Sequence, residues 1–169
     1  MTRRLLLVAL CAFACLTLPA CVYKTKIVNS KLNISPGTQF SFSGATLAPA
    51  VLDTASRSKA AKMERHFDSW SAALTASFEE YASDYEIIAE DGQTIRATVT
   101  ALDPGTRWMR FLWRSRKSWA SATVWFDCGE AGSFTVTGTM KPRWFRGWST
   151  GSLLQRVGRT AAKHLEKQN

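Results

Sequence analysis

From residue 63 to residue 85 the apolar side chains fall at Met63, Phe67, Trp70, Leu74, Phe78, Tyr81 and Tyr85, spaced four, three, four, four, three and four apart. Such spacing keeps all of them on one face of an α-helix, which turns once in about 3.6 residues. Between them Glu64, Arg65, Asp68, Glu79, Glu80 and Asp84 turn the opposite face to water. A helix this long and this one-sided must bury its stripe against a second layer. An aromatic stripe would also suit a ligand cleft, but a core face is the expectation. Pro49 and "LDTASRS" lead into the helix, with Ser56 or Ser58 as the expected N-cap, because a serine oxygen can accept from a free first-turn amide.

The second layer shows as a period of two. "GTQFSFSG" sets Phe40 and Phe42 against Ser41 and Ser43, the pattern of a half-buried strand. "YEIIAEDGQTIRATVTALDPG" reads as a strand, an Asp91-Gly92 turn and a second strand, and Asp-Gly between such segments predicts a hairpin. "SWASATVWFD" and "GSFTVTGTM" alternate likewise and are joined through Cys128-Gly129-Glu130-Ala131. Ser149 or Thr150 then caps a helix carrying Leu153, Leu154, Val157, Ala161 and Leu165. The fold class predicted is α+β. We expect a two-layer sandwich with a mainly antiparallel sheet of four to five strands, one face covered by the long helix and the C-terminal helix, in a single domain over residues 38–169.

The first twenty residues differ in kind. Arg3 and Arg4 are followed by an apolar run from Leu5 to Leu16 and then by small residues up to Cys21, the zones of an exported protein's signal peptide. The run is roughly a dozen residues where a membrane-spanning helix needs about 20, so a permanent span is not expected. "LPAC", Leu18 to Cys21, resembles the bacterial lipobox, with an aliphatic residue three places before the cysteine and a small one just before it. Cys11 and Cys15 lack that context, because Leu10 is too large and Ala12 too small for their positions. The resemblance implies diacylglyceryl transfer to Cys21, cleavage after Ala20 and acylation of the new amine. The protein would then be a palmitate-bearing lipoprotein of the cell envelope. Val22 follows where an inner-membrane retention aspartate commonly stands, so the resemblance favours an outer-membrane lipoprotein facing the periplasm. The competing reading is an ordinary secretory cleavage that leaves Cys21 a free thiol. Residues 21–37, polar through "VYKTKIVNSK", suit a tether between lipid and domain.

Loss of the leader would leave Cys128 as the one thiol beyond Cys21, without an intramolecular partner. It suits either a buried small hydrophobe or a reactive group. No CxxC pair, HExxH or histidine-rich tract occurs, and His66 and His164 stand far apart, so no metal and no cofactor are expected.

The formal net charge is +9, unevenly placed. Residues 21–103 hold eight Lys/Arg against ten Asp/Glu, residues 104–169 twelve against three, and six of the seven tryptophans lie in the second stretch. Such a balance ordinarily suggests nucleic acid, but an exported, anchored protein is not expected to meet any. Two clusters concentrate it. "RWMRFLWRSRKSW" carries Arg107, Arg110, Arg114, Arg116 and Lys117 among Trp108, Phe111, Trp113 and Trp119. "KPRWFRGW" carries Lys141, Arg143 and Arg146 beside Trp144, Phe145 and Trp148. Guanidinium groups grip phosphate and carboxylate, while indoles favour the lipid interface and stack on planar or sugar rings. These residues are candidate contacts for phospholipid headgroups, lipopolysaccharide phosphates or an acidic protein of the envelope. The plainer alternative is that they are solvated around tryptophans that cover the sheet.

At "LDPGTRWMRFLW" and the hairpin and helix beyond it, over roughly residues 38–166, the chain resembles an uncharacterised family of bacterial envelope lipoproteins. That family shares an architecture with the curli-assembly lipoprotein and the N-terminal domain of the Tol-system β-propeller protein. The residues that carry the likeness are Pro104-Gly105 and Arg107 and Arg110 after it. The chain departs where "WRSRK" replaces a glycine-rich segment and where Asp127-Cys128-Gly129 partly replaces an Asp-x-x-Gly turn. The resemblance implies the two-layer fold and an envelope role without a defined activity. No GxSxG, SxxK or paired-carboxylate arrangement points to catalysis, so the expectation is a non-catalytic accessory or assembly subunit, with binding of anionic lipid or glycolipid as the alternative.

Overall fold

In the computed structural model, which describes residues 22–105, 119–141 and 150–169, the alternating segments pair into one five-stranded sheet. Its strands are β1 (Val22–Leu32), β2 (Phe40–Leu47), β3 (Gln93–Asp103), β4 (Ala120–Asp127) and β5 (Gly132–Lys141), in spatial order β1-β5-β4-β3-β2. A short helix α1 (Pro49–Asp53) and the long helix α2 (Arg57–Asp84) connect β2 to β3, and helix α3 (Thr150–Gln168) follows β5. β2 and β3 are parallel, while every other pair is antiparallel. The molecule is thus an α+β two-layer sandwich, and one face of the sheet packs on α2 and α3.

The core lies between those layers. From the sheet come Ile95, Ala97, Val99, Ala122, Val124, Phe126, Phe134, Val136 and Met140, one alternating set per strand. From α2 come Met63, Trp70, Leu74, Phe78 and Ala82, and from α3 Leu153, Leu154, Val157, Ala161, Ala162 and Leu165. Phe42, Phe78, Phe126 and Phe134 run through it as a chain of stacked rings, with centroids 4.5, 6.3 and 5.0 Å apart. Each fully buried Phe or Leu contributes roughly 1.5–3 kcal/mol by leaving water.

Several local expectations are corrected. Residues 22–32 are not a tether: they form β1, paired with β5 from Val22↔Lys141 to Leu32↔Gly132, with a register shift between Val28 and Lys31. Tyr23, Thr25 and Ile27 face α3, where Arg156 lies over the Tyr23 ring and the Thr160 hydroxyl donates to Thr25 at 2.9 Å. Lys24 and Lys26 on the other phase made the segment read as polar, and lysine is common on exposed edge strands because it discourages pairing with other chains. Nor does Asp91-Gly92 turn a hairpin. Ahead of it only Ile88 pairs, as an isolated parallel bridge to Phe40, and β3 takes β2 and β4 as neighbours instead. Gly92 is needed there for space, since a Cβ would lie 2.5–2.7 Å from the Phe40 backbone. On α2 the buried stripe closes at Ala82, and Tyr85 is 49% exposed. Ser56 occupies the N-cap position, but its side chain makes no capping bond; its carbonyl accepts from Lys59 and Ala60. The β4–β5 hairpin through 128–131 forms as expected, around a turn of 3-10 helix over Gly129–Ala131.

Candidate envelope interface

The strand register sorts the molecule into two ends. β1 begins at Val22 opposite Lys141, the last residue of β5, and Met140 sits opposite Ala120, the first of β4. Asp103, the last residue of β3, faces Ser121. The N-terminal turns of α2 reach the same end: Lys59 Nζ lies 2.6 Å from Asp103 Oδ2, and Lys62 Nζ donates to the Pro104 carbonyl at 3.4 Å. α3 also starts there, with Leu153 and Val157 over Gly138, His164 against Phe134, and Asn169 tied to Thr38 at the opposite end. Both long helices therefore point their partly positive N-termini the same way.

This end gathers the stems of both basic connections. Gly105 and Trp119 bracket the first, Lys141 and Thr150 the second, and the Lys141 ammonium sits 4.6 Å from the centre of the Trp119 ring. Cys21, Arg107, Arg110, Arg114, Arg116, Lys117, Arg143, Arg146, Trp108, Trp113, Trp144 and Trp148 lie outside the described residues. What the fold supplies is the common origin of the segments that carry them, next to the first residue of β1.

Among the described residues, the sheet's second face carries no helix. Its side chains include Lys24, Lys26 and Lys31 on β1, Ser133, Thr135, Thr137 and Thr139 on β5, and Ser121, Thr123 and Trp125 on β4. Thr94, Arg96 and Thr98 follow on β3, and Thr46 on β2. None of these is buried. Trp125 is 39% exposed at the centre, between Thr135 and Thr98 in register. Several hydroxyls donate to carbonyls of their own sheet: Thr137 to Lys26 at 3.3 Å, Thr46 to Ala97 at 3.4 Å, Ser43 to Ile95 at 3.0 Å. A hydroxyl that donates in this way keeps two lone pairs with which to accept. Trp125 escaped the sequence reading, although its signal was present: in "ASATVWFD" it shares the phase of Ser121 and Thr123, not that of Val124 and Phe126.

Reactive groups are few among the described residues. Cys128 is fully buried, and burial, with Asp127 adding to it, pushes its thiol up to about 12, so it stays protonated at neutral pH. Ser30 Oγ lies 2.8 Å from His164 Nε2, which joins β1 to α3. Burial, and then Lys167, lower the His164 pKa below its ordinary value. No carboxylate orients that imidazole among the described residues, and a catalytic serine–histidine pair depends on such a third group. No group of three or more His, Cys, Asp or Glu able to hold a metal occurs among the described residues, and no helix there is long and apolar enough to cross a membrane.

No protein-family model matches the chain, and no curated protein matches it. Among solved structures, the dodecamer of a PelC point variant from Paraburkholderia phytofirmans is similar over 80% of this chain and 96% of that one, at 11% identity and a TM-score of 0.40.

Proposed function

We propose that this is a lipid-anchored protein of the bacterial envelope, held at the outer membrane through Cys21, whose α+β domain serves as a non-catalytic accessory or assembly subunit. The carrying observation is the convergence at one end of the sheet. β1 begins at Val22, so an acylated Cys21 is one residue, about 3.8 Å between Cα atoms, from a paired strand. An anchor that short presses one particular end of the domain toward the headgroups. The stems of both basic, tryptophan-rich connections belong to that end, together with Lys141 and Trp119. Two or three acyl chains anchor stably where one alone is marginal.

Replacing Cys21 by Ser should abolish lipid labelling and move the protein from the membrane fraction to the soluble periplasm. Continued membrane fractionation without label would refute the anchor. The same convergence favours a second reading, in which the basic connections bind anionic lipid or glycolipid directly. Each basic charge near an anionic surface is worth about 1 kcal/mol. Changing Arg107, Arg110, Arg114 and Arg116 to Glu in the Cys21→Ser chain separates the two readings. Loss of binding to anionic phospholipid vesicles supports the lipid reading. Unchanged vesicle binding, with loss of a reproducibly crosslinked envelope protein, supports the subunit reading.

A further inference from the structure

We infer that the open face of the sheet, centred on Trp125, is a binding platform for an acidic polysaccharide, separate from the anchored end. Among the described residues no helix packs on this face, and its centre bears a tryptophan. Its neighbours are short: Thr135 and Thr98 flank it across the strands, and Thr123 precedes it along β4. The indole stands in a field of short hydroxyl side chains, with 39% of its surface open to solvent. The exposed part of the indole offers a stacking surface to a ligand with an apolar face.

The chemistry around the ring selects the occupant. A pyranose ring offers an apolar C–H face for an indole and a rim of hydroxyls. Thr137, Thr46 and Ser43 donate to sheet carbonyls and keep lone pairs with which to accept. Threonine is also stiff at χ1, so ordering it costs little on binding. Five strands at about 4.8 Å spacing give a surface about 19 Å across, room for several linked sugars.

Charge chooses among polysaccharides. Lys24, Lys26 and Lys31 on β1 and Arg96 on β3 share this face with Asp127 and with Asp103, and Asp103 is already engaged by Lys59. A net positive rim fits a polymer bearing carboxylates, whether a free uronate polymer or the peptide-bearing glycan of the cell wall. A protein partner fits less well, because its anchor residues pack in a desolvated apolar centre. Beyond Trp125, the apolar side chains described on this face are the small ones of Val28 and Ala101.

The test uses the full chain in a mild detergent, with polygalacturonate and purified peptidoglycan sacculi as probes and neutral dextran as control. The expected result is salt-sensitive binding to at least one acidic polymer, weakened about tenfold or more by Trp125→Ala, as for loss of one stacking ring. The pair Lys24→Glu and Lys26→Glu should weaken it at low salt and flatten its salt dependence. Circular dichroism and the melting temperature of each variant establish that the fold is kept. Which polymer responds identifies the source. The proposal is overturned if neither acidic polymer binds, if dextran binds as tightly, or if Trp125→Ala binds as the parent does. It is equally overturned if Trp125→Ala spares polymer binding but removes a crosslinked protein partner.

Discussion

Gly158→Ala sets two physical effects against each other, and the structure decides the sign. In a helix interior, alanine is favoured over glycine by about 1 kcal/mol, so secondary-structure preference alone calls for a more stable protein. Gly158, however, lies where α3 crosses α2. A Cβ built there would meet the Leu74 carbonyl oxygen at 2.5 Å, the Phe78 amide nitrogen at 3.3 Å and the Leu74 carbonyl carbon at 3.4 Å. The nearest atom is main chain of a neighbouring helix and cannot swing aside as a side chain would. Restoring ordinary contact means parting the helices by close to an ångström along a seam that includes Leu74, Phe78, Val157, Ala161 and Ala162, all fully buried. Overpacking of this kind costs about 1–3 kcal/mol, and the rigid obstacle places it at the upper end. Against the propensity gain, the net loss should be about 2 kcal/mol. That corresponds to a melting temperature lower by about 4–8 °C for a domain of this size. Urea and thermal melts of the full chain, followed by far-ultraviolet circular dichroism, measure it directly. Gln155→Ala, on the exposed side of the same helix, should stay within about 0.5 kcal/mol of the parent. A Gly158→Ala protein as stable as the parent, or more stable, would refute the close-crossing argument.

Two further outcomes follow from the buried Cys128 thiol and the half-buried His164 imidazole. Cys128 should resist thiol reagents in the native protein at pH 8 and react only on unfolding; labelling at the rate of the unfolded chain would contradict its burial. The folded state keeps this thiol's proton up to about pH 12, while an unfolded thiol loses it near about 8.5. Stability should therefore be unaffected by Cys128 at neutral pH and fall as pH rises through that window, and Cys128→Ala should remove this contribution. His164 has the opposite sense. Its lowered pKa means that the unfolded chain binds a proton the folded one resists. Stability should drop as pH falls below the ordinary imidazole value, about 6.5, and His164→Gln should shrink that drop; an unchanged acid limb would show that other groups cause it.

Much of the fold was legible because each element buries one face and the period of its apolar residues records which. The stripe through Met63, Trp70, Leu74 and Phe78 marked α2, and the alternation of Ala120, Ala122, Val124 and Phe126 marked β4 together with its inward face. The same alternation contained the outward Trp125, legible once the phase is read for what it leaves outside. The hairpin at Cys128–Ala131 was local enough for its turn residues to specify. Charge and aromatic content singled out the two basic connections. The proposal of export and anchoring at Cys21 rests on the leader's own pattern.

What the sequence could not decide was partnership between distant segments. Asp91-Gly92 carries a local hairpin signal, yet β3 pairs in parallel with β2, because α2 has to return across the sheet to bury its stripe. "VYKTKIVNSK" carries lysines on one phase and only modest apolar groups on the other. It becomes β1 because β5 leaves an open ladder edge and α3 covers Tyr23 and Ile27. The gathering of Val22, Gly105, Trp119, Lys141 and Thr150 at one end is likewise a product of strand direction and order. A period tells each residue which face it occupies. Only closure of the shared core, through contacts between residues far apart in the chain, settles which strand lies beside which and which ends come together.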